Sequence, residues 1–259
     1  MFKFLGAIGA LALSSTAATS VMAAEAAPAA KPTVVLVHGA WADGSSWNKV
    51  IPLLQARHIP VLIVQNPLTS LADDVAATAR VLATVKGPVV LVGHSWGGTV
   101  ITEAGNDAKV KALVYVSAFA PKENQTGNDL IAAFPKPPAL STVAFDSEGF
   151  TRQTEQGVLE NFAPDIPKQD ARTLFVTQGP LAGSTFTDTV KTAAWRTRPN
   201  WFVVSANDRV ISPEMERMFA KELNAKTTVL ASSHVSLLSH PAEVAAVIED
   251  AVATVAKEQ

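Results

Sequence analysis

One stretch of the chain decides the fold: it runs from Val89 to Gly98 and reads VVLVGHSWGG. Its four aliphatic residues predict a short buried strand, and the Gly-x-Ser-x-Gly turn that follows them leads into a helical run. Such an elbow holds Ser95 at its tip in a strained backbone conformation, and the small residues Gly93 and Gly97 let strand and helix pass closely. The Ser95 hydroxyl would then lie above a helix N-terminus, whose free N–H groups stabilise developing negative charge. The alternative is a glycine-rich turn whose serine has no chemical role.

Composition narrows the possible functions. The chain has 259 residues, of which 48% are hydrophobic, so it can bury one full core, and one domain with an insertion is expected. The net charge of −2 provides no basic surface for nucleic acid or an anionic membrane, which leaves a small molecule as the expected partner. The absence of cysteine excludes zinc fingers, thiol redox sites, cysteine nucleophiles and disulfides.

The N-terminus has the pattern of a secretory signal peptide. Lys3 precedes an apolar segment over residues 4–13, and small residues at 21–23 form a cleavage site after Ala23. The apolar segment is too short for a membrane anchor, and the Ala/Pro-rich residues 24–32 are expected to form a flexible lead-in. The sequence therefore predicts a periplasmic or secreted protein with no membrane span after processing; an uncleaved tether is the alternative.

Short apolar runs alternate with helical patterns over most of the remaining chain. The predicted strands are 33–37, 60–64, 89–92, 110–116, 201–206 and 227–230. The predicted helices are 50–54, 71–85, 99–104, 213–223 and 241–256. Continuous apolar strands that alternate with helices favour an α/β fold with a mostly parallel, doubly wound sheet.

Residues 122–198 interrupt this alternation with prolines and scattered phenylalanines. The predicted organisation is a core of residues 33–121 and 199–259 with an insertion at 122–198.

The elbow, together with the strand that runs into His38-Gly39-Ala40-Trp41, resembles the α/β-hydrolase superfamily over nearly all residues after 30. The resemblance implies an α/β-hydrolase fold in which the insertion is a helical cap above the active site. Its phenylalanines are expected to divide between the cap's own core and an apolar substrate pocket. The backbone N–H groups of Ala40 and Trp96 are the expected oxyanion donors, and Trp41 and Phe119 the expected walls of the substrate site.

A serine hydroxyl needs an imidazole to accept its proton, and the imidazole needs a carboxylate to orient it. In the superfamily these follow Ser95 in the order acid, then histidine. His234 directly follows the last predicted strand, and His240 is the alternative. Asp208 ends the preceding strand and is the predicted acid. The rival acids lie in the insertion: Asp146, Asp165 and Asp188.

Within the superfamily, the two motifs and the downstream Trp47 resemble plant methylesterases, hydroxynitrile lyases and their bacterial esterase relatives. The lyases carry a lysine after the catalytic histidine and a hydroxylated residue after the histidine of the first motif. Val235 and Gly39 occupy those positions here, which disfavours cyanohydrin cleavage. The resemblance therefore implies a carboxylic ester hydrolase that acts on esters with a hydrophobic acyl or alcohol part through an acyl-enzyme on Ser95.

Two other functions stay open on sequence grounds. The same triad could cleave amides, lactones or carbon–carbon bonds or catalyse cofactor-free peroxidation, or the fold could serve as a ligand receptor with slow turnover. Neither a metal nor a cofactor is expected. A small-molecule ester is the predicted partner, and a homodimer stays open.

Overall fold

The computed structural model describes residues 1–3 and 31–258. The predicted signal peptide and lead-in therefore lie almost wholly outside the described residues. No helix within the described ranges is long and apolar enough to cross a membrane.

The core is a six-stranded parallel sheet in the order β2-β1-β3-β4-β8-β9. The strands of the described residues are β1 Thr33–Val37, β2 Val61–Val64, β3 Val89–His94, β4 Val110–Val116, β5 Val143–Phe145, β6 Phe150–Gln153, β7 Leu181–Ala182, β8 Asn200–Ser205 and β9 Lys226–Leu230. β3 lies near the middle of the sheet and is buried along its whole length. This arrangement confirms the predicted parallel sheet.

Helices cover the sheet. They are α1 Ile51–Ala56, α2 Leu71–Thr84, α3 Trp96–Ala104, α4 Gly127–Ala132, α5 Glu155–Gly157, α6 Lys168–Thr177, α7 Pro213–Glu222, α8 Ser236–Ser239 and α9 Pro241–Lys257. Short 3₁₀ helices span Gly44–Trp47, Pro138–Thr142, Gly183–Thr187 and Ala194–Arg196, and a π-helical turn spans Val158–Phe162. Helices α2 and α3 pack against each other and the sheet, and so do α1 and α9. Because the central strands are buried, both faces of the sheet are covered.

The helix after the elbow begins at Trp96, three residues before the predicted start at Thr99. The first turn contains Gly97 and Gly98, which lower helix propensity, so the sequence pattern places its start too late. As a result, Trp96 is the first residue of the helix, and its backbone N–H lies at the helix N-terminus.

The insertion at 122–198 is not wholly helical, contrary to the prediction. Besides α4, α5 and α6 it contains an antiparallel sheet of β5, β6 and β7. Its strands have two to four residues, too few for a clear alternating pattern. The turn between β5 and β6 is held by Asp146, whose Oδ1 accepts hydrogen bonds from the N–H groups of Glu148 and Phe150.

The phenylalanines of the insertion lie in more environments than the two that the sequence predicts. Phe162 is buried in the core, and Phe186 lines the cavity at Ser95. Phe134 and Phe175 pack partly buried against the core, whereas Phe145 is 70% exposed. The insertion is therefore packed onto the sheet domain rather than held apart from it.

Candidate active site

Ser95 occupies the turn between β3 and α3. Its backbone is left-handed, with φ 54° and ψ −122°, a strained conformation for a residue with a side chain. Strand and helix approach so closely that a Cβ on Gly93 would lie 2.5 Å from the Gly97 carbonyl oxygen, and one on Gly97 would lie 2.6 Å from the Val37 carbonyl oxygen. The elbow predicted from the sequence is therefore present, with the serine at its tip.

Asp208 and His234 form a buried pair. The Nδ1 of His234 donates to Oδ2 of Asp208 at 2.6 Å. Oδ1 of Asp208 accepts the backbone N–H groups of Val210 and Ile211 at 2.7 and 3.0 Å. These three donors fix the orientation of the carboxylate, and the carboxylate fixes the imidazole tautomer with the proton on Nδ1.

The remaining nitrogen of His234, Nε2, is buried and has no hydrogen-bond partner among residues 31–258. The hydrogen bond between this nitrogen and the Ser95 hydroxyl is therefore not formed. Hydrogen bonds between a nucleophile and its base are often long without substrate and tighten in the reacting complex, so this geometry is compatible with the predicted role of His234. The imidazole has the correct tautomer to accept a proton at Nε2.

The rival residues have other partners. His240 bonds Oγ of its neighbour Ser239 at 2.9 Å, at the start of α9. Asp188 accepts the N–H of Leu71, and Asp146 holds the β5–β6 turn. None of them bonds His234 in the part of the chain that the structure describes.

The loops that carry Asp208 and His234 are joined beneath the pair. Asn207 N–H donates to the Ser232 carbonyl oxygen at 3.0 Å, and the hydroxyl groups of Ser205 and Ser232 lie 2.9 Å apart. Both serines are fully buried at the ends of β8 and β9. The parallel pairing of these strands thus brings the two loops to one edge of the sheet.

His94 supports His234 from the elbow. Its Nε2 lies 3.0 Å from the backbone oxygen of His234, and the ring centroids are 4.8 Å apart. Burial and the adjacent His234 ring hold the pKa of His94 well below its usual value, so the ring is neutral and donates this bond. The sequence assigned His94 only to the turn and missed this contact.

The cap holds the His234 loop from the opposite side. Both oxygens of Asp165 accept from Ser233, the backbone N–H at 2.7 Å and the hydroxyl at 2.5 Å. The ring of Phe162 packs edge-on against His234 with centroids 5.1 Å apart. Asp165, considered from sequence as a rival acid, is instead a support for the residue next to the histidine.

His38 has a structural environment. It is buried, which lowers its pKa, and its Nε2 accepts the N–H of Asn66 at 2.9 Å while Nδ1 contacts the Gly39 carbonyl oxygen at 2.9 Å. A neutral His38 thus fixes the loop that carries Ala40 and Trp41.

The predicted oxyanion donors and substrate walls meet at one small cavity. It is lined by Ala40, Trp41, Ser95, Trp96, Phe119, Ile131, Leu140, Phe186 and Val210. None of these side chains is charged, and the backbone N–H groups of Ala40 and Trp96 donate to no acceptor within the described ranges. The cavity has a volume of only about 20 Å³, which leaves room for about one water molecule.

Two tryptophan walls are fixed by buried hydrogen bonds. Trp41 Nε1 donates to Oγ1 of Thr151 in the cap at 3.1 Å. Trp96 Nε1 donates to Oδ2 of Asp74 on α2 at 2.7 Å, and Oδ1 of Asp74 accepts the Leu68 N–H at 2.8 Å. Burial raises the pKa of Asp74 to about 6 despite these bonds. Asp74 was not found from the sequence.

A model of the alpha/beta hydrolase family matches residues 34–247. Among curated relatives, the chain is 26% identical over 250 residues to a pyrethroid hydrolase of Sphingobium wenxiniae, covering 84% of this chain and 86% of the relative.

Solved structures share the fold. A pyrethroid hydrolase of Sphingobium faniae superposes with a TM-score of 0.72 at 21% identity, over 85% of this chain and 97% of that one. Polyneuridine aldehyde esterase superposes with a TM-score of 0.73 at 19% identity, over 85% and 99% of the two chains.

Proposed function

We propose that this chain, which belongs to the alpha/beta hydrolase family, is a carboxylic ester hydrolase. It cleaves esters with a hydrophobic acyl or alcohol part through an acyl-enzyme on Ser95. One observation carries this proposal: the elbow serine after β3 and the buried His234–Asp208 pair after β9 and β8 all lie at the carboxyl ends of strands in the same parallel sheet. Nucleophile, base and acid from different loops at one sheet edge are what nucleophilic ester hydrolysis requires.

In the proposed mechanism, Nε2 of His234 accepts the Ser95 proton as Oγ attacks the ester carbonyl carbon. The backbone N–H groups of Ala40 and Trp96 stabilise the resulting oxyanion, each worth about 3 kcal/mol in the transition state. The imidazolium, stabilised by Asp208, then protonates the departing alcohol, and water activated by His234 releases the acid.

The walls of the site support the substrate class. An apolar lining without a charged side chain favours uncharged acyl or alcohol groups, because a buried unpaired carboxylate or ammonium is costly. The relative named as a pyrethroid hydrolase supports a hydrolase that acts on a small molecule.

The test is a panel of p-nitrophenyl esters of increasing acyl length, with lactones and anilides measured in parallel. We expect ester turnover that falls by about 10⁴-fold or more in Ser95→Ala. Ser147→Ala, in the exposed turn of the cap hairpin, is the matched control and should keep wild-type activity.

Other outcomes would replace the proposal. Preferred turnover of lactones or anilides points to a different bond, and a single burst of product without further turnover points to a slow ligand receptor. Unchanged ester hydrolysis in Ser95→Ala contradicts the mechanism.

We also propose export from the cytoplasm, on the basis of the N-terminal sequence pattern. Cell fractionation followed by N-terminal sequencing should find a mature chain that starts after Ala23 outside the cytoplasm. An unprocessed chain in the cytoplasmic fraction contradicts this.

A further inference from the structure

A second carboxyl group, that of Glu216, lies beside the proposed catalytic acid. Glu216 belongs to α7, which packs on β8, and its side chain is fully buried. Oε2 accepts the Ser205 N–H at 2.9 Å, and the Ser205 carbonyl oxygen accepts the Asp208 N–H at 3.2 Å. A side-chain hydrogen bond with Asp208 is among the causes that raise the pKa of Glu216. Oε1 is buried and accepts no hydrogen bond from the described residues.

Two ionised carboxylates cannot hydrogen-bond each other, since both only accept. The charges around the pair do not compensate two negative groups. His234 is on the Asp208 side, and Arg209 and Arg217 are exposed and form no ion pair with either acid in the described part of the chain. Burial and the Asp208 charge raise the pKa of Glu216 well above its usual value.

The proton of the pair belongs on Glu216 rather than on Asp208. Asp208 accepts three N–H donors, two from the backbone and one from His234, so both of its oxygens already act as acceptors. Glu216 accepts one, from Ser205. The neutral acid then satisfies its buried oxygens, because one accepts from Ser205 and the group donates to Asp208.

We propose that Glu216 is a protonated carboxylic acid that donates a hydrogen bond to the carboxylate of Asp208, and that it is a positioning residue for the Asp208–His234 pair. The positioning role rests on the proposed function, whereas the protonation of Glu216 does not. Loss of the proton would place a second negative charge beside Asp208 and replace the hydrogen bond between the two carboxyl groups by repulsion, which would displace Asp208 from His234.

Infrared difference spectroscopy at pH 7 tests the proton directly. The spectrum of wild type minus that of Glu216→Gln should show the carbonyl stretch of a protonated carboxylic acid. Glu243→Gln, an exposed glutamate at the start of α9, is the matched control and should show none. A carboxylate band in place of the acid band in the Glu216→Gln difference overturns the proposal.

The pH dependence of unfolding is the second test. A group whose pKa is raised in the folded state adds to the free energy of unfolding. This contribution is fully present at a pH below the unfolded pKa and is lost as the pH rises toward the folded pKa. Above the unfolded pKa and below the raised folded pKa, the unfolding constant of wild type should therefore rise with pH relative to that of Glu216→Gln, by at most about tenfold per pH unit. A ratio that stays constant with pH means that Glu216 is ionised in the folded protein and overturns the proposal.

Activity tests the positioning role. Glutamine can accept from Ser205 and donate to Asp208, so Glu216→Gln should keep kcat within about threefold and extend the active range to higher pH, whereas Glu216→Met should lose about tenfold or more in kcat with little change in KM. Equal activity in both variants overturns the positioning role. Ester hydrolysis that survives in Ser95→Ala would overturn the proposed function instead, and the infrared result would stand independently.

Discussion

The edge of the sheet and the cap are built in different ways. At the sheet edge, the side chains of Asp208 and His234 are completely buried, and Nδ1 of His234 lies 2.6 Å from Oδ2 of Asp208. The cap has strands of two to four residues and an exposed Phe145. Its hydrogen bonds to the site region include two from Ser233 to Asp165 and one from Trp41 to Thr151.

This difference separates the reaction from the choice of substrate. The proposed reacting groups come from the sheet domain, while Phe186, Ile131 and Leu140 of the cap supply much of the cavity wall. Changes at the sheet edge should therefore act mainly on kcat, and changes confined to the cap surface should act on neither kcat nor stability.

The largest effect is expected from Asp208→Asn. An asparagine at this position can present its amide N–H₂ to Nδ1, which favours the wrong imidazole tautomer, so kcat should fall about 10³- to 10⁴-fold. Steady-state kinetics on a p-nitrophenyl ester measure this. A loss of less than tenfold would show that the acid is elsewhere and would remove the contrast between sheet edge and cap.

The next largest effect is expected from Asp74→Asn, on the pH dependence of the free energy of unfolding. Its pKa is raised from 3.8 to about 6, so its contribution to the free energy of unfolding is fully present below pH 3.8 and is lost as the pH rises through about 6. Over this pH range the free energy of unfolding of wild type should fall by about 3 kcal/mol relative to that of Asp74→Asn. Denaturant unfolding at each pH measures this difference.

Asp73→Asn is the control for Asp74 because the neighbouring carboxylate is exposed and its pKa is lowered by the Ser70 and Thr69 hydroxyl groups. Its contribution is lost as the pH falls, which is the opposite sign. Slopes of the same sign for both variants would contradict the assignment of Asp74 as a buried acid.

Asp165→Ala probes the boundary between the two regions. Removal of both hydrogen bonds to Ser233 frees the loop next to His234, and kcat/KM should fall about tenfold. Asp170→Ala, on α6 of the cap and 4.0 Å from Lys49, is the matched control and should leave activity unchanged. Similar losses in the two variants would mean that the cap acts as a whole and not through Asp165.

The smallest effect is expected at the cap surface. Phe145 is 70% exposed on β5, so Phe145→Ser should change the free energy of unfolding by less than about 0.5 kcal/mol and leave kcat/KM unchanged. Thermal unfolding and ester kinetics measure the two quantities. A clear loss of activity would show that this hairpin takes part in substrate binding.

The parallel sheet and the elbow could be predicted from the sequence because their signals are local. Strand β4, for example, was predicted with its observed bounds Val110–Val116, since seven consecutive residues are mostly apolar. The cap sheet could not be predicted, because strands as short as Leu181–Ala182 depend on pairing with distant residues.

The buried acids were missed although a weak signal exists. Asp74 lies three residues after Leu71 and four before Thr78 on the buried face of α2, and Glu216 lies three residues before Phe219 on the buried face of α7. A carboxyl group on an apolar helix face predicts a buried partner. The identity of that partner, the Trp96 indole or the Asp208 carboxylate, depends on tertiary packing that helix periodicity does not contain.

The left-handed backbone at Ser95 has a thermodynamic consequence for the whole domain. Strain of this kind costs about 1 to 3 kcal/mol, a large part of the net stability of a folded domain. Glycine would relieve the strain but remove the hydroxyl, so stability favours glycine at residue 95 whereas the proposed reaction requires serine. The fold is therefore held below its greatest attainable stability at the residue where its proposed chemistry begins.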